Sequence, residues 1–222
     1  MKSPFMKSSV RRRSLFALLL MFPLLACAQS GADRYVAGEH YAVLKQTAKT
    51  RNPKKVEVVE VFWYGCSHCY SFEPVVTAWA KEQADDVDFW QSPAMWRDAM
   101  VVHARAFFAA QQLESHEVLH HAIFKAMNVD RNPLSDEAAV AALFAKNGVS
   151  EQAFKKAYNS FSVTSGVRLA DSRARNYEIS GTPEIIVNGK YRVSARMAGS
   201  QKGMLEVVDF LINKERKSQA SR

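Results

Sequence analysis

The run Val56-Glu57-Val58-Val59-Glu60-Val61-Phe62-Trp63-Tyr64 constrains this chain most, because it passes through a single glycine, Gly65, into Cys66-Ser67-His68-Cys69. β-Branched and aromatic residues with little polar interruption read as a central strand covered on both faces. Beyond the cysteines, Phe72, Val75, Val76, Trp79 and Ala80 recur at i, i+3, i+4, i+7 and i+8, which predicts one apolar face of a helix from Ser67 to about Ala84. A buried strand therefore delivers two thiols to the start of a helix. Pro74 lies inside that helix, where it removes a backbone donor and crowds the preceding turn, so a kink is expected.

Two thiols at this spacing can close a tight disulfide and reopen it, but C-x-x-C also serves metal sites and haem attachment. A structural zinc site takes four ligands, of which this pair supplies two. The third cysteine, Cys27, falls in an N-terminal export segment. Iron–sulfur clusters ask for about four thiolates, and haem attachment needs His directly after the second cysteine, where this chain has Tyr70. A redox-active dithiol is the favoured reading. It needs no metal and no cofactor beyond its own disulfide.

Residues 1–28 read as a bacterial secretory signal. Lys2, Lys7 and Arg11-Arg12-Arg13 form a basic n-region, Ser14 to Leu25 an apolar stretch broken by Pro23, and Ala26-Cys27-Ala28 an A-x-A cleavage site. The apolar stretch is too short to span a bilayer. Leu24-Leu25-Ala26-Cys27 also resembles a lipoprotein signal, which would leave an acylated Cys27, and Arg12-Arg13-Ser14-Leu15-Phe16 loosely resembles a twin-arginine signal. General secretion to the periplasm as a soluble protein is favoured over both. Removing the segment takes five basic and no acidic residues, so the net charge falls from +8 to +3. Nucleic-acid binding loses its main support with it. An exported protein with one remaining cysteine pair does not use disulfides as staples, so that pair is expected to be the reactive centre.

Asp33 to Asn52 is a polar, mixed lead-in containing Tyr41 and Leu44, and Val87-Asp88-Phe89-Trp90 a second strand. From Arg97 to Glu178 the chain reads as helical, with Phe107, Phe108, Leu113, Val118, Ile123 and Phe124 as apolar faces. Ser135-Asp136-Glu137 and Ser150-Glu151 are helix starts, and Asn147-Gly148 is a helix stop. Glu184 to Val187, the turn Asn188-Gly189, and Tyr191 to Val193 predict a hairpin with a two-residue loop. A last helix carries Met204, Val207, Val208 and Leu211 before a tail from Lys214 to Arg222 that is expected to fray.

Phe62-Trp63-Tyr64-Gly65-Cys66-Ser67-His68-Cys69-Tyr70, Phe72-Glu73-Pro74, Gly181-Thr182-Pro183 and Val187-Asn188-Gly189-Lys190-Tyr191 together resemble the DsbA family of periplasmic thiol:disulfide oxidoreductases. The resemblance implies an α/β thioredoxin fold interrupted by an all-helical domain. Residues 29–96 and 179–222 would form the thioredoxin part and 97–178 the insertion. It further implies a C-x-x-C at the first thioredoxin helix, a cis bond at Thr182-Pro183, and a buried acid, Glu60, near Cys69 that moves protons during exchange. Its clients would be reduced, partly folded exported proteins and its reoxidant a membrane protein similar to DsbB. No separate dimerisation segment is visible in the sequence, so a monomer is expected. Ser67 departs from the proline of the best-known members, and this dipeptide tunes redox poise. An isomerase or reductase of the same fold, or a non-catalytic peptide-binding chaperone, is the alternative.

Elementary chemistry points the same way. A cysteine at a helix N-terminus faces unpaired N–H groups and the positive end of the helix dipole, which favour thiolate over thiol. That residue is Cys66; Cys69, one turn inside, is expected to be the resolving thiol. His68 can donate to the Cys66 thiolate or place positive charge beside it. Glu60 would be costly as a buried anion unless paired, and an edge or solvent position is the equal alternative. Thr182 is expected to offer backbone to an incoming peptide beside Pro183. Glu73 reads as a helix-surface charge, although the family it resembles has an acid at this position near the active site; Trp63, Tyr64 and Tyr70 read as core or groove wall, and His103, His116, His120 and His121 as ordinary helix residues.

Overall fold

The computed structural model describes residues 34–220; the export segment, Cys27 and both cleavage sites lie outside them. Five strands form one sheet: β1 (Ala42–Val43), β2 (Val56–Phe62), β3 (Val87–Pro93), β4 (Glu184–Val187) and β5 (Tyr191–Ser194), in the order β1-β5-β4-β2-β3. β2 runs parallel to β3 and antiparallel to β4. Helix α1 (Ser67–Lys81) makes the crossover between β2 and β3 and continues through Pro74. Five helices stand between β3 and β4: α2 (Asp98–Gln112), α3 (His116–Asn128), α4 (Glu137–Lys146), α5 (Glu151–Tyr158) and α6 (Phe161–Asn176). The short α7 (Ala195–Ala198) and the long α8 (Gln201–Ala220) complete a thioredoxin fold with a helical insertion.

All seven residues of β2 are buried. Alternation still matters, because the two faces meet different neighbours. Val56 and Val58 pack with Phe72, Val76 and Trp79 of α1 and with Met204, Val207, Val208 and Leu211 of α8. Val59 and Val61 pack on the other face with Leu44, Tyr177 and Ile186. Glu60 shares the parity of Val56 and Val58, so the period of two places its carboxylate under α1. Phe62 and Tyr64 enter the core of the helical insertion with Phe107, Leu119, Ile123 and Phe124.

The helix signals are met by real caps. Asp136 accepts from the Ala139 backbone at 2.8 Å and Ser150 from Ala153 at 3.2 Å, and Gly148 takes φ +86° after α4. Other expectations need correction. Val75 is 43% and Val118 60% exposed, so neither belongs to a core face. Of the tail, the described part does not fray, since α8 continues to Ala220. Within it Glu215 turns inward to Asn188 and Lys190, at 2.5 Å each, while Arg216 grips Asp86.

The hairpin turn has positive φ at both Asn188 and Gly189, and Lys190 N donates to Val187 O at 3.0 Å. The ladder nevertheless pairs Val187 with Tyr191, leaving Lys190 as an extra residue outside the two-residue loop. The reason lies in the lead-in, where Leu44 N donates to Lys190 O and Ala48 N to Gly189 O, each at 2.8 Å. The lead-in thereby adds β1 to the sheet edge and holds the turn. A Cβ on Gly189 would sit 2.3 Å from the Ala48 oxygen, so this position takes glycine for space as well as for φ.

Candidate active site

β2 ends at Phe62, two residues earlier than the apolar run, because the chain turns: Cys66 N donates to Trp63 O at 3.0 Å. The turn needs Gly65 for space, since a Cβ there would meet the Trp63 ring at 2.4 Å. Three bonds fix its aromatics. Trp63 Nε1 donates to His103 Nδ1 at 3.0 Å, Tyr64 OH bonds His120 Nδ1 at 2.6 Å, and Asn128 donates to Tyr64 O at 2.8 Å. The helical insertion thus grips the segment that presents Cys66.

Cys66 is the N-cap of α1, with extended backbone, and its Sγ accepts from Cys69 N at 3.4 Å. Both cysteines are in the dithiol form. The hydrogen bond from the Cys69 thiol lowers the Cys66 pKa to about 5, against the opposing effect of partial burial. The Thr182 side chain and the backbone N–H groups of Cys69 and His68 add to the lowering. When protonated, Cys66 instead donates to the Thr182 carbonyl, 3.3 Å away. Cys69 is wholly buried, and desolvation, the bond to Cys66 and the neighbouring Cys66 and Glu60 charges push its pKa up. The two sulfurs, three residues apart, are driven in opposite directions.

Thr182-Pro183 is cis and stands against Cys66. His68 is exposed on the first turn of α1 and meets Cys66 through its backbone N–H, while its carbonyl accepts from Gln201 Nε2 at 2.6 Å, tying α8 to the active-site turn. Glu60 is fully buried, so the edge or solvent alternative falls. Its Oε2 accepts from Gln91 at 2.8 Å, and its Oε1 has no hydrogen-bond partner. Burial, the Glu73 charge and the Cys66 thiolate raise its pKa to about 8, against the Gln91 bond.

Glu73 is no surface charge. Its side chain is 20% exposed, accepts from Thr77 and from Gln91 at 2.9 and 2.8 Å, and lies 3.4 Å from His120 Nε2. Burial pushes its pKa up, but the His120, Gln91 and Thr77 contacts outweigh this and hold it below the usual carboxylate range. Nor is His120 an ordinary helix residue, since it joins α3 to Tyr64 and Glu73. His116, one turn earlier at H-x₃-H spacing, lies with its ring 4.9 Å from His120, and burial depresses its pKa to about 4. Gln91 gave no signal as an isolated residue. Its role comes from its register, directly opposite Glu60 on β3.

The larger cavity, about 1040 Å³, runs past Glu73, Thr77, His116 and His120. A smaller one, about 330 Å³, opens between His68 and the Thr182-Pro183 loop. Only the second includes residues that touch the Cys66 sulfur, and proximity to the chemistry outweighs size.

A thioredoxin fold with one half-buried, acidic thiol and one wholly buried partner defines a dithiol redox protein. Residues 83–204 match the model of the DSBA-like thioredoxin domain family. The thiol:disulfide interchange protein DsbA of Pseudomonas aeruginosa is 36% identical over 207 residues, 93% of this chain and 98% of its own. That of Azotobacter vinelandii is 40% identical over 182 residues, 82% and 85% of the two chains. The crystal structure of Pseudomonas aeruginosa DsbA superposes with TM-score 0.82 at 35% identity, covering 85% of this chain and 98% of that one. The chain belongs to the DsbA family of thiol:disulfide oxidoreductases.

Proposed function

We propose that this protein is an oxidase of the periplasm that donates its Cys66–Cys69 disulfide to reduced, partly folded exported proteins. The opposed acidities of the two sulfurs carry the reading. A client thiolate attacks Cys66 Sγ, a client–Cys66 bond forms, and the Cys66–Cys69 bond breaks with its electron pair going to Cys69. That pair takes a proton, for which the buried Glu60 is the nearby acid. A second client thiolate then attacks the client sulfur of the mixed disulfide, and Cys66 leaves as a thiolate. The client has lost two electrons and the protein holds them as a dithiol.

A low leaving-group pKa favours this last step and stabilises the reduced protein, which makes the disulfide form an oxidant. The chemistry asks for no metal or cofactor. A membrane protein resembling DsbB would take the two electrons, and the protein would act as a soluble monomer after loss of its export segment. Equilibration with a glutathione redox buffer tests the direction. The oxidase reading expects a dithiol that persists at glutathione ratios where an ordinary structural disulfide is closed; a disulfide that resists reduction would make the protein a reductase or isomerase.

A further inference from the structure

We propose that the cavity beside Cys66 selects clients carrying a carboxylate next to the reacting cysteine, with Arg196 as the residue that recognises it. The inference rests on the exchange chemistry proposed above and concerns which thiols that chemistry reaches first.

The cavity is lined by His68, Thr182, Pro183, Arg192, Arg196 and Gln201 among others. It adjoins the reacting atom, because the Thr182 carbonyl is 3.3 Å from Cys66 Sγ. Two guanidinium groups and one carboxylate, Glu184, belong to its wall. Arg192 is already engaged. It donates to the Glu178 carbonyl and to Ser180 Oγ and lies 3.7 Å from Glu184. Glu184 is 4% exposed and accepts from the Ser180 backbone and hydroxyl, so it faces its own loop.

Arg196 differs. It is exposed on α7, and among the described residues its guanidinium has no hydrogen bond or ion pair; only its field reaches Glu184. The wall therefore holds one cation more than it has anions. A client segment lying against Thr182 would bring the side chains beside its cysteine to this cation. Asp or Glu there is attracted and Lys or Arg repelled, with the strength of a solvent-exposed pair.

An acidic neighbour also makes a client thiol a poorer acid, so a comparison of clients alone would mix two effects. Comparing protein variants on the same clients removes the second. Three two-cysteine peptides, identical except for Asp, Asn or Lys flanking the first cysteine, are mixed with the disulfide form of the wild-type protein, Arg196→Ala and Arg196→Glu, and peptide oxidation is timed. The expected result is an Asp-to-Lys rate ratio about fivefold higher for wild type than for Arg196→Glu at low salt, with Arg196→Ala between and the difference shrinking in high salt. A ratio that is the same in all three proteins, each shown by its thermal melt to be folded, overturns the selection. Failure of the wild type to oxidise even the Asn peptide would instead overturn the exchange reading beneath it.

Discussion

Gln91 stands directly opposite Glu60 on the neighbouring parallel strand, and its Nε2 donates at 2.8 Å to both Glu60 Oε2 and Glu73 Oε2. One neutral amide thus holds two carboxylates beneath the active-site helix. Only one of them is supported as an anion: Glu73 also has Thr77 and His120, whereas Glu60 Oε1 has nothing. Burial and the Glu73 charge keep the proton on Glu60 up to about pH 8. A neutral acid with a free oxygen is the state needed to hand a proton to a departing thiolate.

Glu60→Gln should stabilise the protein in a pH-dependent way. Between the unfolded carboxyl value of about 4.3 and the folded value of about 8, the native state holds a proton that the unfolded chain has released. Stability therefore falls as pH rises through that interval. The variant lacks this loss, so its thermal melt should match wild type near pH 4.5 and exceed it at pH 8 by roughly 2–5 kcal/mol. Parallel curves would mean that Glu60 does not titrate in this range.

Changing the bridge should move the same titration in either direction. Gln91→Lys supplies a cation to both carboxylates and should bring the Glu60 limb below pH 8; Gln91→Leu removes the donor, should push it higher, and should cost about 1–3 kcal/mol at neutral pH. Melts across pH 4 to 10 read both effects. If the two variants shift the limb the same way, Gln91 acts through packing and not through its hydrogen bonds.

Reduced protein should be alkylated at Cys66 alone. Its thiol ionises at about 5 while the wholly buried Cys69 is pushed upward, so iodoacetamide should label Cys66 at a rate that rises through pH 5 and is level at neutrality. Peptide mapping identifies the site, and modification of Cys69 first would reverse the assigned roles.

The dithiol and disulfide forms should exchange order of stability with pH. A depressed Cys66 pKa contributes stability to the reduced form that is complete above the unfolded thiol value of about 8.5 and is lost as pH falls through about 5. Discounted for a half-exposed sulfur, this is on the order of 2–3 kcal/mol. Closing so short a loop stabilises the disulfide form by about 2 kcal/mol. Reduced protein should melt higher at pH 8 and oxidised protein at pH 4.5; an oxidised form that melts higher throughout would argue for a reductant.

Two glycines separate steric need from mere flexibility. Gly189→Ala forces a Cβ to 2.3 Å from the Ala48 oxygen at φ +62° and should destabilise by about 2 kcal/mol or more. A Cβ on Gly181 would have no neighbour within 4 Å, and Gly181→Ala should change stability by less than about 0.5 kcal/mol. Denaturant melts of both variants decide it.

The chemistry of this protein was legible in its sequence because it depends on local order. A buried strand, a turn glycine and a helix start put Cys66 at an N-cap and Cys69 one turn inside whatever else the chain does, and the motif around them carries the family. Capping residues were equally readable, since a cap is satisfied within four residues. The surroundings of the sulfurs were not. Whether Glu60 was buried or reached solvent depended on the sheet order, which flanks β2 on both sides, and on α1, which covers its inward face. Gln91 acquired its role from strand register, Glu73 from a contact with α3, and His120 from a bond to Tyr64 56 residues away. The stretch from Lys214 to Ala220 stays helical because Glu215 finds Lys190 across the fold. Periodicity records which side of an element is apolar; which polar groups meet beneath it is settled only when distant segments pack and each buried donor and acceptor needs a partner.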